Sequence, residues 1–286
     1  MEIKKIRQFG EMVKFSHSIF ALPFALASLM IASQGHPPFR ILFLMVLAMV
    51  ALRTGAMAFN RWVDADIDAK NPRTAVRHIP QNILSKQSVL ITSIFCGILF
   101  VILCTQINTL AFQLSPIALS AAYGYSLAKR FTSLSHIILG CVLGMSPIGA
   151  WVAMRGEVAF IPVLLGIAVT LWVAGFDLIY ATQDYDFDKQ SGLHSMVVAL
   201  GISKALLLAR LFHLITLLLL LAFGILNHFG WTYFITLSVI AGLFLYEHSL
   251  VSDKDLSKVN AAFFNVNGII SILFFVGVWI SLPHPQ

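Results

Sequence analysis

Charge and cysteine are both scarce in this chain. Nineteen Lys and Arg and thirteen Asp and Glu are spread over 286 residues, so 11% of the chain is charged against 58% hydrophobic. A soluble domain cannot cover its surface with so few charges, and this composition excludes a soluble enzyme. The three cysteines, Cys96, Cys104 and Cys141, sit inside apolar runs without paired spacing. That excludes a disulfide framework and a thiolate metal site, and leaves them as small core filler. Strict polar–apolar alternation is also missing, which excludes a membrane barrel. The formal charge of +6 suggests no nucleic-acid partner, because in such a chain the placement of basic residues sets membrane topology.

What is present is apolar sequence in long stretches, with a mean hydropathy of +0.86. Unsatisfied backbone groups are intolerable in hydrocarbon, so continuous runs of this length must be helices. Spans are expected near residues 15–33, 40–60, 88–106, 108–127, 134–153, 159–180, 204–226, 231–250 and 261–282. The fold class is therefore all-α, a polytopic bundle of nine transmembrane helices in a single domain over residues 1–286. The first stretch follows Lys4, Lys5 and Arg7 as a secretory signal would, but it is long enough to span and is read as a retained helix. Pro23, Pro116, Pro147 and Pro162 fall inside expected spans, where neighbouring helices can satisfy the freed carbonyls.

Basic residues orient the bundle. Lys4, Lys5, Arg7 and Lys14 precede or open the first span, and Arg61, Lys70, Arg73, Arg77, Lys86, Lys129, Arg130, Lys189, Lys204, Lys254 and Lys258 lie at the even-to-odd connections. Arg40 and Arg155 fall on the opposite side. The positive-inside rule then makes the N-terminus cytoplasmic.

Six of the thirteen acids occur in two copies of Asp-x-Asp-x-Asp: Asp64, Asp66 and Asp68 after the second span, and Asp184, Asp186 and Asp188 after the sixth. A carboxylate at the bilayer centre costs about 2.5–3.5 kcal/mol on an insertion scale, so these triplets belong at the membrane edge or in a wet cavity. On a continuing helix Asn60, Asp64 and Asp68 share one face, and so do Asp177, Asp184 and Asp188, with Tyr180 beside them. Asp66 and Asp186 turn away. A calcium loop of the EF-hand type needs Gly at its sixth position and Glu at its twelfth, and Ala69, Ala75, Lys189 and Ser195 stand there instead.

Convergent hard oxygen donors without His or thiolate suit Mg²⁺, which keeps water and substrate phosphates as its remaining ligands. Lys70, Arg73 and Arg77 follow the first triplet, Lys189 the second, and Lys129 and Arg130 end the fourth span. Acids interleaved with bases point to a metal-bridged phosphate rather than a bare cation site. Arg53, inside the second span and seven residues before Asn60, needs a carboxylate. Either an acidic aromatic substrate or an internal partner would supply it. Arg210 is read as snorkelling to the interface and His17 as an interfacial residue.

Taken together, "NRWVDADID" from Asn60, "DLIYATQDYDFD" from Asp177 and "YSLAK" from Tyr125 resemble the marks of the UbiA superfamily of intramembrane prenyltransferases, in the same order. Additional segments, "KFSHSIFALPFALA", "NPRTAVRHIP" and "SGLHS", are similar to 4-hydroxybenzoate polyprenyltransferase-like members of quinone biosynthesis. The resemblance implies a central cavity open to the cytoplasm and two Mg²⁺ ions on the acidic motifs. It implies transfer of a polyprenyl group from an allylic polyprenyl diphosphate to an aromatic acceptor such as 4-hydroxybenzoate. Such a protein would serve ubiquinone or menaquinone synthesis amid membrane lipid, in a bacterium in the inner membrane. Carried onto this sequence, Asn60, Asp64, Asp68, Asp184 and Asp188 would hold metal; Lys70, Arg73, Lys129, Arg130 and Lys189 the diphosphate; Arg53 and Tyr125 the acceptor. Asp177, Asp184 and Tyr180 would be catalytic, with Asp177 favoured over Asp184 as the acid that orients the acceptor or takes its proton. His194 in "GLHS" departs from the basic residue of some members and leaves the subgroup open. A transporter using the acids as a cation site is the alternative class, although its ionisable groups would more often lie near the midplane. A lipid phosphotransferase lacks its Asp-Gly and Ala-Arg elements here.

Overall fold

The computed structural model describes residues 8–12 and 20–282, and every regular element among them is helical. In chain order these are α1 (Leu22–Ala32), α2 (Phe39–Val63), α3 (Ala65–Asp68), α4 (Lys86–Ile107), α5 (Thr109–Ala128), α6 (Ser135–Arg155), α7 (Phe160–Ala181), α8 (Tyr185–Gln190), α9 (Met196–Leu200), α10 (Ile202–Leu226), α11 (Trp231–Ser249) and α12 (Asn267–Ser281). A 3₁₀ turn at Thr182–Asp184 joins α7 to α8, and a π-helical segment, Ala261–Val266, leads into α12.

Each expected span falls on a helix. Six stretches among the described residues are long and apolar enough to cross a membrane: Phe39–Val63, Lys86–Ile107, Ser135–Arg155, Phe160–Gln190, Ile202–Leu226 and Ala261–Ser281. The chain is thus a multi-pass integral membrane protein. Helix α5 has the length, but Gln113, Pro116, Tyr123 and Tyr125 dilute its apolar character. Helix α11 ends on Glu247 and His248. The expected start of the first span, with His17, lies outside the described residues, and α1 covers 11 residues of it. A stripe of Leu207, Leu211, Leu214 and Leu218 is exposed along one face of α10, as lipid contact requires.

Local signals place the helix ends. Ser85 caps α4 by accepting from the Ser88 N–H, and Ser195 caps α9 by accepting from Val198. Gly156 closes α6 in the left-handed region at φ 68°, its N–H returning to the Val152 carbonyl. Pro23 and Pro162 stand not in span interiors but in the first turns of α1 and α7, where a missing N–H costs nothing. Pro116 and Pro147 are interior as expected, and the Pro147 carbonyl accepts from the buried Ser28 hydroxyl at 2.7 Å.

The chain forms two compact units. Among the described residues the first comprises 8–12 and 43–127, the second 20–42 and 128–282. In the first, Ala48 and Ala51 of α2 pack with Phe100, Leu103 and Cys104 of α4, and the buried Ser93 hydroxyl donates to the Gly55 carbonyl at 3.0 Å. Cys96 and Cys104 are the expected filler, but Cys141 is exposed because it lies on an outward face of α6. In the second unit α7 is the central helix, packed between α6 and α10. Helices α6 and α7 meet through Gly140, Gly144 and Gly166, where an added Cβ would strike the facing backbone. Small residues substitute here for the hydrophobic drive that lipid removes.

Candidate functional site

The first acidic helix end belongs to the unit containing Phe43–Leu127. Helix α2 stops at Val63, yet the Asp64 N–H bonds the Asn60 carbonyl at 3.0 Å and the Asp68 N–H bonds the Asp64 carbonyl at 2.7 Å. The four-residue spacing thus survives the break at Asp64, and the expected face of Asn60, Asp64 and Asp68 is retained. Asp64 and Asp68 are 2% and 4% exposed. The Asn60 amide donates to Asp64 Oδ2 at 3.2 Å, and one Arg77 nitrogen bridges both Asp68 oxygens at 2.6 and 2.7 Å. Buried carboxylates are retained only where such partners, or a cation, offset their desolvation.

Asp66 faces outward, its side chain 85% exposed and 3.3 Å from the Lys86 ammonium. Exposed pairs of this kind contribute roughly 0–1 kcal/mol. Asp66→Asn should therefore leave turnover within about twofold of the parent, and a larger loss in a prenyl-transfer assay would move Asp66 into the machinery.

The basic residues after the motif divide. Arg77 is committed to Asp68, Lys70 is exposed, and Arg73 is half-buried with its backbone N–H on Asn71 Oδ1 at 2.9 Å. The loop is tied down by the Thr74 hydroxyl, which donates to the Asp68 carbonyl at 3.0 Å. Tyr125 lies close enough to Arg53, Arg61 and Asp64 to interact electrostatically with all three. The two residues expected at the acceptor, Arg53 and Tyr125, are therefore brought together, with the Tyr125 hydroxyl 4.0 Å from Met57 Sδ.

The second acidic helix end belongs to the other unit. Here α7 does not run on unbroken. The 3₁₀ turn at Thr182–Asp184 intervenes, so the seven-residue step from Asp177 to Asp184 does not keep ideal α-helical phase. Asp184 and Asp188 are half-buried and Asp186 is exposed. Tyr180 packs its ring on Phe263 with centroids 4.2 Å apart. Lys189 is exposed and rests over the Tyr185 ring at 5.6 Å. Lys129 and Arg130, both half-buried, follow α5, and the His194 N–H donates to the Lys129 carbonyl at 2.7 Å. That bond ties the "GLHS" loop to the expected diphosphate residues.

One residue absent from the expected site stands beside a motif acid, and one base expected on the phosphate side pairs with a motif acid instead. His136, in the first turn of α6, places Nδ1 2.6 Å from Asp177 Oδ2, and Arg77 holds Asp68. Nothing in the spacing signals either pair; the first joins positions 41 apart on different helices.

Among the described residues no three His, Cys, Asp or Glu side chains form a ready-made metal cage. This donor set still fits Mg²⁺, which takes one or two carboxylates and fills its octahedron with water and substrate phosphates. The buried Asp64, supported by the Asn60 amide, is a donor of that kind.

Helices of spanning length whose ends carry buried acids beside bases define a multi-pass membrane protein with charged sites at its helix termini. A profile of the UbiA prenyltransferase family matches residues 21–269, and the chain belongs to that family. It is 31% identical over 254 residues to a 4-hydroxybenzoate octaprenyltransferase of Klebsiella pneumoniae, covering 89% of this chain and 88% of that one. The apo structure of a UbiA homologue from Aeropyrum pernix superposes with a TM-score of 0.83 at 32% identity, over 92% of this chain and 97% of that chain. A UbiA homologue from Archaeoglobus fulgidus bound to DMAPP and Mg²⁺ shares the fold, with a TM-score of 0.73 at 19% identity over 96% and 99% of the two chains.

Proposed function

We propose that this protein transfers a polyprenyl group from an allylic diphosphate to a carboxylated aromatic acceptor, 4-hydroxybenzoate or a near relative, in ubiquinone or menaquinone synthesis. The observation that carries the reading is the family match over residues 21–269, reinforced by the 31% identity to a 4-hydroxybenzoate octaprenyltransferase. In this reading the chain is one membrane domain of nine spans, with its N-terminus and both acidic helix ends on the cytoplasmic side and a cavity opening there.

Asn60, Asp64 and Asp68 would hold one Mg²⁺ and Asp184 and Asp188 another. The Asn60 amide nitrogen faces Asp64, which leaves its carbonyl oxygen as the ligating atom. Mg²⁺ bound there supplies Lewis-acid neutralisation of the departing diphosphate. Lys70, Arg73, Lys129, Arg130 and Lys189 add positive charge where negative charge develops. The allylic carbon–oxygen bond breaks and its electron pair leaves with the diphosphate. A bond forms between the allylic carbon and the ring carbon beside the phenolic hydroxyl, and the ring proton passes to a carboxylate oxygen of Asp177. Arg53 suits the acceptor carboxylate and Tyr125 its ring. Tyr180, seated on Phe263, presents its ring to the allylic cation.

The test is incubation of membranes containing the protein with geranyl diphosphate and a panel of phenolic acids. The expected product has the mass of 4-hydroxybenzoate plus one geranyl group less one hydrogen, formed with Mg²⁺ and abolished by EDTA. No carbon-prenylated product from any acceptor would reject the reading.

A further inference from the structure

His136 is 5% exposed and donates its Nδ1–H to Asp177 Oδ2 at 2.6 Å. The opposite tautomer would set an imidazole lone pair against a carboxylate lone pair at that distance, so the proton sits on Nδ1. Nε2 is buried and has no hydrogen-bond partner among the described residues. A histidine kept for structure behaves differently in this same protein. The buried His213 is satisfied at both nitrogens, with Nδ1 3.0 Å from His248 Nε2 and Nε2 3.2 Å from the Trp172 carbonyl. Leaving one ring nitrogen unsatisfied is unfavourable, and what His136 retains in return is its grip on Asp177.

Asp177 sits on α7, the most enclosed helix of its unit, flanked by buried Phe176 and Leu178. Its side chain is 20% exposed while that of His136 is 6% exposed. One carboxylate oxygen is thus fixed within the protein, and the open part of the group is left to a ligand. The hydrogen bond fixes χ1 and χ2 of Asp177, which keeps its free oxygen aimed.

We propose that His136 is the positioning residue of Asp177, holding Oδ2 so that the other carboxylate oxygen meets the aromatic acceptor. This rests on the reading that Asp177 serves the acceptor side. His136 acts only through Asp177, so its loss should alter how the acceptor is used and leave the binding of the prenyl donor alone.

The experiment measures steady-state kinetics with geranyl diphosphate and 4-hydroxybenzoate for the parent, Asp177→Asn, His136→Leu and His136→Asn, the last placing an amide N–H near the position of Nδ1. For His136→Leu, kcat/KM for 4-hydroxybenzoate should fall about 30-fold or more while KM for geranyl diphosphate stays within about twofold. His136→Asn should recover most of that loss. If the leucine variant fails to accumulate in membranes, His136→Ser, too short to reach Oδ2, replaces it with the same expected loss. Equal losses on donor and acceptor, or an asparagine variant no better than leucine or serine, would overturn the inference. If Asp177→Asn itself leaves acceptor kinetics unchanged, the acceptor-side reading of Asp177 fails. If Asp177→Asn is impaired and His136→Leu is not, only the role of His136 fails.

Discussion

Asp64→Asn should lower prenyl transfer by a factor on the order of 10³ while the protein still inserts and unfolds at the parent temperature. The substitution is isosteric and replaces one oxygen by a nitrogen. Asn60 can keep its 3.2 Å contact to the oxygen that remains. What disappears is the negative charge of a group that is 2% exposed, and with it the attraction for a hard cation. A fold effect would lower the unfolding temperature together with the rate, whereas a chemical effect lowers the rate alone. Asp184→Asn should cost a similar factor, and the double variant little more than either single one, because groups that act as a unit are not additive in rate. Product formation by mass spectrometry, beside thermal unfolding of the same preparations, decides the matter. Multiplying losses would mean that the two acidic helix ends serve separate steps.

Why some of this was readable from sequence and some was not follows from the range of the forces involved. Span positions are a property of consecutive residues in hydrocarbon, so the apolar runs predict α2, α4, α6, α7 and α10 closely. The burial of Asp64 and Asp68 against the exposure of Asp66 is a matter of helical phase, which four-residue spacing records. The same argument weakens at Asp177 and Asp184, because the 3₁₀ turn after α7 winds more tightly, and one residue of backbone geometry moves every side chain beyond it. Arg77 reaches Asp68 only because the chain between them folds into turns closed by Thr74 and Asn71, which spacing does not encode. His136 meets Asp177 through the packing of α6 on α7, a contact set by Gly140, Gly144 and Gly166, none of which carries chemistry of its own.

Asn267→Leu should destabilise the protein more than any single surface change, by about 3 kcal/mol or more, read as a lower unfolding midpoint in detergent. Asn267 is fully buried where the π-helical segment enters α12, and its amide is used on both sides. Its oxygen accepts from Trp172 Nε1 at 2.7 Å, and its nitrogen lies 2.7 Å from Glu247 Oε1 and 3.1 and 3.2 Å from the Ala262 and Phe263 carbonyls. Leucine matches the volume and strands an indole N–H, a buried carboxyl and the carbonyls of the widened turn. Each stranded group costs about 1–3 kcal/mol. Glu247→Gln keeps an oxygen to receive the Asn267 amide, so it should stay within about 1 kcal/mol of the parent. A leucine variant as stable as the parent would show that the network carries no net stabilisation. The consequence extends to the site, because Phe263, whose carbonyl Asn267 holds, is the ring on which Tyr180 rests. If the π-segment relaxes, the support under Tyr180 moves with it. Turnover in Asn267→Leu should then fall even below its unfolding temperature, whereas Glu247→Gln should retain both stability and rate.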